Sequence, residues 1–105
     1  MSKAAVVRTD GRVVDPTRLA EICERYGIVE LAVFGSIARG DAGPDSDVDL
    51  LYVLAPSARL GFGIDRLEDE LAELFDRDVD LVARRAVHPL LREKVDELAK
   101  TLYAA

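Results

Sequence analysis

The sequence predicts an α+β domain: a small β-sheet with helices packed on it. Three observations lead there. Apolar runs of strand length fall at residues 29–34, 47 to about 54, and 78–82. Helical periodicity fills the stretches around them, with Leu19, Ile22, Cys23 and Tyr26 on one stripe and Ile64, Leu67, Leu71, Leu74 and Phe75 on another. The order is helix, strand, strand, helix, strand, helix, a succession that covers a sheet of three core strands with helices. Spacing alone leaves open whether those strands run parallel, antiparallel or mixed.

Ahead of the first helix, residues 6–9 and 12–14 read as short strands joined at Asp10-Gly11, a dipeptide suited to a two-residue hairpin turn. Asp15-Pro16 then opens a helix, the aspartate as N-cap and the proline at the first helical position, and Gly27 closes it. The first core strand ends at Gly35-Ser36, after which Ile37-Ala38-Arg39 suits one helical turn before Gly40. Residues 41–46 are dense in turn formers and read as a loop. Pro56 closes the second core strand, and Gly61-Phe62-Gly63 is a flexible join or a poor first turn of the next helix. Beyond the third strand, Arg84-Arg85 and His88-Pro89 lead into a last helix carrying Leu91, Val95, Leu98 and Leu102.

The 105 residues are expected to form one domain, 1–105, with 1–14 as an N-terminal hairpin extension. No apolar run approaches the ~20 residues of a membrane span, and the first residues lack the apolar stretch of a signal peptide. Cys23 is the sole cysteine, which excludes an intrachain disulfide and a thiol-rich metal site. A cytoplasmic protein is the expectation. The net charge of −6 argues against extensive nucleic-acid binding, which draws on Lys and Arg against phosphate. It leaves room for a nucleotide carried with a divalent cation, and for a basic protein partner.

The chemistry concentrates at Gly35-Ser36, ten residues, then Asp47-Val48-Asp49. Alternate strand residues share a face, so Asp47 and Asp49 lie on one side about 6.6–6.8 Å apart, while Val48 and Leu50 point into a core. Two carboxylates, completed by substrate phosphates and water, are the usual setting for Mg²⁺. A solvent-facing strand is the plainer account of the pair, although aspartate is disfavoured in strands. Glycine admits a close ligand approach, and free N–H groups at the start of a helical turn attract phosphate. The Ser36 hydroxyl adds a donor, and Arg39, one turn on, reaches the same phosphates. Asp80 supplies a third carboxylate, as metal ligand or general base, if its strand neighbours that of Asp49. Asp78 shares its face and is the rival. His88 reads as a helix-start or surface residue, Cys23 as core, and Glu68, Asp69, Glu70 and Glu73 as a solvated helix face. Arg84-Arg85 is an exposed pair, or one that holds a nucleotide or an acidic partner.

The combination Gly35-Ser36…Asp47-Val48-Asp49 resembles the signature of the polymerase-β-type nucleotidyltransferase superfamily. The fuller string from Phe34 through Gly40-Asp41-Ala42, and then Ser46 to Leu51, resembles its minimal branch, the MNT-type proteins. Val79-Asp80-Leu81-Val82 is similar to that branch's third motif, and the likeness extends from Asp15 to the C-terminus. The resemblance implies a mixed sheet of the polymerase-β-like fold. It also implies a pair of Mg²⁺ ions and transfer of a nucleoside monophosphate to an acceptor with release of pyrophosphate. By position, Gly35, Ser36, Arg39 and Ser46 would hold the triphosphate. Asp47 and Asp49 would bind metal, and Asp80 would complete the metal site and help activate the acceptor. MNT-type proteins are commonly antitoxins paired with a HEPN-domain ribonuclease toxin, which they can adenylylate on tyrosine using ATP. The N-terminal hairpin and Gly61-Phe62-Gly63 depart from the family pattern.

A protein acceptor is therefore the leading expectation, since relatives acting on small molecules or RNA carry an extra domain to hold them. Alternatives are nucleotidyl transfer to a small molecule such as an aminoglycoside, or an antitoxin that neutralises its partner by binding alone.

Overall fold

Asp15 starts α1 (Pro16–Tyr26) in the expected way: its Oδ1 accepts the Thr17 N–H at 2.9 Å, with Pro16 at the first helical position. Gly27 ends the helix in left-handed backbone, φ 76°, and its N–H turns back to the carbonyls of Cys23 and Glu24. The structure, a computed structural model, describes residues 3–4, 7–9, 12–35 and 47–105. The expected turn at Asp10-Gly11, the helical turn at 37–39 and the loop at 41–46 lie outside them.

Among the described residues the main sheet has five strands. Their order is β1 (Lys3–Ala4), β7 (Lys100–Ala104), β4 (Ile28–Phe34), β5 (Val48–Leu54) and β6 (Val79–Ala83). The hairpin expected near the N-terminus is present as β2 (Val7–Thr9) and β3 (Arg12–Val14), paired apart from this sheet. β4 runs antiparallel to β5 and β7, and β1 antiparallel to β7, whereas β5 and β6 are parallel. The sheet is mixed, as the resemblance implied. A parallel pair needs a crossover, and residues 55–78 supply it through a 3₁₀ turn at Gly61–Gly63 and α2 (Ile64–Phe75).

α1 and α2 cover one face of the sheet. Leu19, Ile22 and Cys23 from α1 and Leu67, Leu71 and Phe75 from α2 form a single cluster with Leu31, Val33, Val48 and Leu50. Each fully buried aliphatic side chain contributes roughly 1.5–3 kcal/mol relative to exposure, so this face anchors the strands that carry the aspartates. A polar clamp joins the two helices at the rim. Arg25 Nη1 donates to Glu70 Oε1 at 2.5 Å, and the Tyr26 hydroxyl donates to Glu70 Oε2. The Tyr26 bond is the main cause holding the Glu70 carboxyl below its usual range, and it also raises the phenol of Tyr26. Glu70 therefore ties helices together, where the helical pattern placed it on a solvated face.

The last helix differs from expectation. α3 (Pro89–Leu98) begins where predicted, with His88 Nδ1 accepting the Leu90 N–H at 3.1 Å. It stops at Leu98 and does not run through Leu102. Ala99 is extended, and residues 100–104 become β7 against β4. Thr101, Leu102 and Tyr103 suit a pleated, half-buried surface, and pairing satisfies the N–H and C=O groups of an otherwise bare β4 edge. A register shift in this pairing leaves Leu102 without a partner on β4, and both Leu102 and Tyr103 are buried, at 4% and 2% exposure. α3 itself buries no residue, so its expected apolar stripe leaves Leu91 and Leu98 exposed.

Candidate active site

Alternation along β5 divides the sheet into two chemically different faces. Val48 and Leu50 are fully buried beneath the helices, so Asp49 and Leu51 project from the opposite face. Asp47 stands exposed just before the strand, and Asp49 is half-buried. β6 brings Asp80 into register with Asp49. Aligned residues on neighbouring parallel strands point to the same face, about 4.8 Å apart across the ladder. Asp78 precedes β6, where its carbonyl accepts the Val48 N–H at 2.9 Å. The residue beside Asp49 is thus Asp80.

On the other flank Asp49 pairs with Phe34, the last residue of β4. Gly35 follows with φ 74°, a conformation that disfavours any side chain. A Cβ built there would lie 2.5 Å from Asp49 Oδ2 and 3.4 Å from its Cγ. The carboxylate therefore rests against a bare backbone, which is the close approach that glycine permits. Ser36, Arg39 and Ser46, the other expected nucleotide-binding residues, lie outside the described residues.

Among the described residues no three carboxylates, imidazoles or thiols draw close enough to cage a metal ion unaided. The donors nevertheless suit Mg²⁺ in kind. They are carboxylate oxygens, few in number and on an open face, which leaves positions for phosphate and water. Carboxylates without such cations repel, and an open face lets water screen them.

One acidic residue near the site was not legible as such in the sequence. Glu68 of α2 is half-buried, and its carboxyl is raised above the usual range by burial first, then by the negative charges of Asp65, Asp80 and Asp69. Its place beside the buried Leu67 was the available signal. Of the arginine pair, Arg84 is committed elsewhere: it bonds Asp96 of α3 through Nε at 3.1 Å and Nη2 at 2.6 Å. Cys23 is fully buried, and burial pushes its thiol up to about 12. His88 serves as a helix cap. None of these three belongs to the acidic cluster.

Residues 17–102 match the nucleotidyltransferase domain family. The protein adenylyltransferase MntA of Thermococcus cleftensis is 42% identical over 67 residues, which span 64% of this chain and 67% of that protein. A solved structure of a candidate minimal nucleotidyltransferase superposes with a TM-score of 0.67 at 41% identity, covering 80% of this chain and 87% of that one. A Shewanella oneidensis complex of a tri-AMPylated HEPN toxin with an MNT antitoxin shares the fold. There the TM-score is 0.59 at 22% identity, with 85% of this chain and 69% of that one covered. The chain belongs to the nucleotidyltransferase domain family, and its fold is the polymerase-β-like one of the minimal nucleotidyltransferases. No helix among the described residues is long and apolar enough to cross a membrane.

Proposed function

We propose that this chain is a Mg²⁺-dependent protein adenylyltransferase that moves AMP from ATP to a tyrosine hydroxyl of a HEPN ribonuclease toxin, and so acts as its antitoxin. The observation that carries the reading is the in-register pair Asp49 and Asp80, with the Gly35 backbone against the Asp49 carboxylate. Support for a protein acceptor comes from the name of the Thermococcus relative, and for a HEPN acceptor from the AMPylated toxin in the Shewanella complex.

In this reading Gly35 lets the triphosphate approach the backbone, and Ser36, Arg39 and Ser46 take the positions the family motif gives to phosphate binding. Asp47, Asp49 and Asp80 would hold magnesium, whose positive charge would offset that of the triphosphate. Asp80 takes the proton of the acceptor hydroxyl. The hydroxyl oxygen forms a bond to the α-phosphorus. The bond from that phosphorus to the bridging oxygen breaks, and pyrophosphate leaves with its electron pair. The sheet holds acceptor and phosphate on one rigid face, so that the encounter needs little further ordering.

The test is incubation with ATP, Mg²⁺ and a HEPN toxin, followed by intact-mass analysis. A toxin heavier by one or more AMP groups, dependent on Asp47 and Asp49, is expected. A toxin that stays unmodified yet is neutralised, also by the Asp47→Asn/Asp49→Asn variant, would replace catalysis with contact.

A further inference from the structure

At the end of the sheet away from the aspartates lies a cavity of about 370 Å³, within the usual range of binding pockets. Tyr52, Leu54, Leu60 and Ile64 line it with apolar surface, and Arg59 and Arg85 line it with charge. Its nearest strand residues, Tyr52 and Ala83, lie three residues beyond Asp49 and Asp80, roughly 10 Å along the strands, so this cavity is separate from the acidic cluster. Arg59 Nη1 donates to the carbonyls of Pro56 and Ala58 at 3.3 and 2.9 Å, which fixes its guanidinium in place. Neither Arg59 nor Arg85 has an ion-pair partner among the described residues, whereas Arg25 and Arg84 each have one. In a chain with 20 acidic residues against 14 basic, two such guanidinium groups over an apolar floor form a local reversal of charge. Phe62 adds a further feature. It follows Gly61, which lines the cavity with φ 51°, and its ring is fully exposed, at 103%. Arginine and aromatic side chains around an apolar pocket are the composition of interface hot spots.

We propose that this cavity docks the protein substrate by a segment in which an apolar side chain adjoins a carboxylate. The apolar group enters the cavity, the carboxylate meets Arg59 and Arg85, and Phe62 closes over the segment. Docking of this kind rests on the protein-adenylyltransferase reading and assigns recognition to a surface remote from the chemistry. Tyr52 and Leu54 alternate onto the helix-covered face, so a substrate anchored there passes around the β6 edge to bring its hydroxyl to Asp49 and Asp80 on the other face.

The test uses the full chain and an N-terminally labelled peptide, Gly-Ser-Asp-Glu-Leu-Phe with an amidated C-terminus, beside a counterpart with both acids changed to lysine. Fluorescence anisotropy is expected to show binding of the acidic peptide alone, weakened about tenfold by Arg85→Glu and about fivefold by Phe62→Ser. Both side chains are exposed, so melting temperatures should stay as in the parent chain. With a HEPN toxin as acceptor, the same variants should raise KM for the toxin and leave kcat and ATP binding unchanged. Equal binding of both peptides, no binding of either, or an unaltered toxin KM in Arg85→Glu would overturn the docking proposal. Peptide binding lost in Arg85→Glu, in a chain that transfers no AMP, would retain the docking site and sink the enzymatic reading.

Discussion

The two faces of the sheet are built from the same strands yet do opposite work. On one, Val48, Leu50, Leu31 and Val33 pack against α1 and α2 with almost no exposure. On the other, Asp49 and Asp80 sit side by side, with the Gly35 backbone drawn close to the Asp49 carboxylate. Most of the stability resides in the first face, where the main apolar cluster is removed from water. The second holds Asp49 and Asp80 in register, with Asp80 exposed to water that screens the pair. Side chains one residue apart on β5 should therefore answer to different measurements.

Asp49→Asn should separate them most widely. A loss of about a thousandfold in AMP transfer, or ~4 kcal/mol of transition-state stabilisation, is expected. Its melting temperature should move little, and chelation of magnesium should match the loss. Leu50→Ala is the mirror experiment. A fully buried leucine truncated in a packed core costs about 2–5 kcal/mol, read as a lower denaturant midpoint. Transfer rates per folded molecule should change far less than in Asp49→Asn. If the two variants gave the same pattern, the division between faces would be wrong.

Gly35→Ala tests the boundary between the faces. Left-handed backbone costs a side chain about 1–2 kcal/mol, and the new Cβ must also displace the Asp49 carboxylate from 2.5 Å. A combined fall in stability and transfer rate is expected, visible in thermal melts and in the AMP-transfer assay.

The smallest effect is at the helix clamp. Glu70 has a depressed carboxyl, so its contribution is present above the ordinary value of 4.5 and is lost as pH falls through the lower folded value. Tyr26 has a raised phenol, so its contribution is present below the ordinary value of 10.0 and is lost as pH climbs through the higher folded value. Glu70→Gln should cost about 1 kcal/mol or less, since the pair is partly exposed. The acid side of its plot of melting temperature against pH should be flatter than that of the parent chain. A Glu70→Gln variant as acid-sensitive as the parent would remove the clamp from the account.

Capping and alternation made much of the fold readable. Asp15-Pro16 and Gly27 mark α1 because each solves a problem of the helix end within a few residues of itself. The apolar run at 64–75 marks α2 for a similar reason, and Cys23 is recognisably core from its place on the stripe. β7 was not readable. Leu98 and Leu102 are four apart, so helical spacing continues through a stretch that β4 instead draws into the sheet. Glu68 and Glu70 also lie among acids on a helix face, and only their neighbours Asp80, Arg25 and Tyr26 give them distinct surroundings. Within the site, Gly35, Asp47 and Asp49 stood out by spacing, whereas Asp78 and Asp80 alternate onto one face and spacing could not rank them.

From sequence alone came the ends of α1, the start of α3, the position of each core strand and the glycine–aspartate motif, all settled by chemistry among near neighbours in the chain. Tertiary structure decided which strands pair and in which register. That choice set Asp80 across from Asp49, turned residues 100–104 from helix to strand, and opened the cavity between Tyr52 and Ile64. Pairings of this kind join residues far apart in the chain, and their energy exists only once the sheet has assembled, so no local pattern records them.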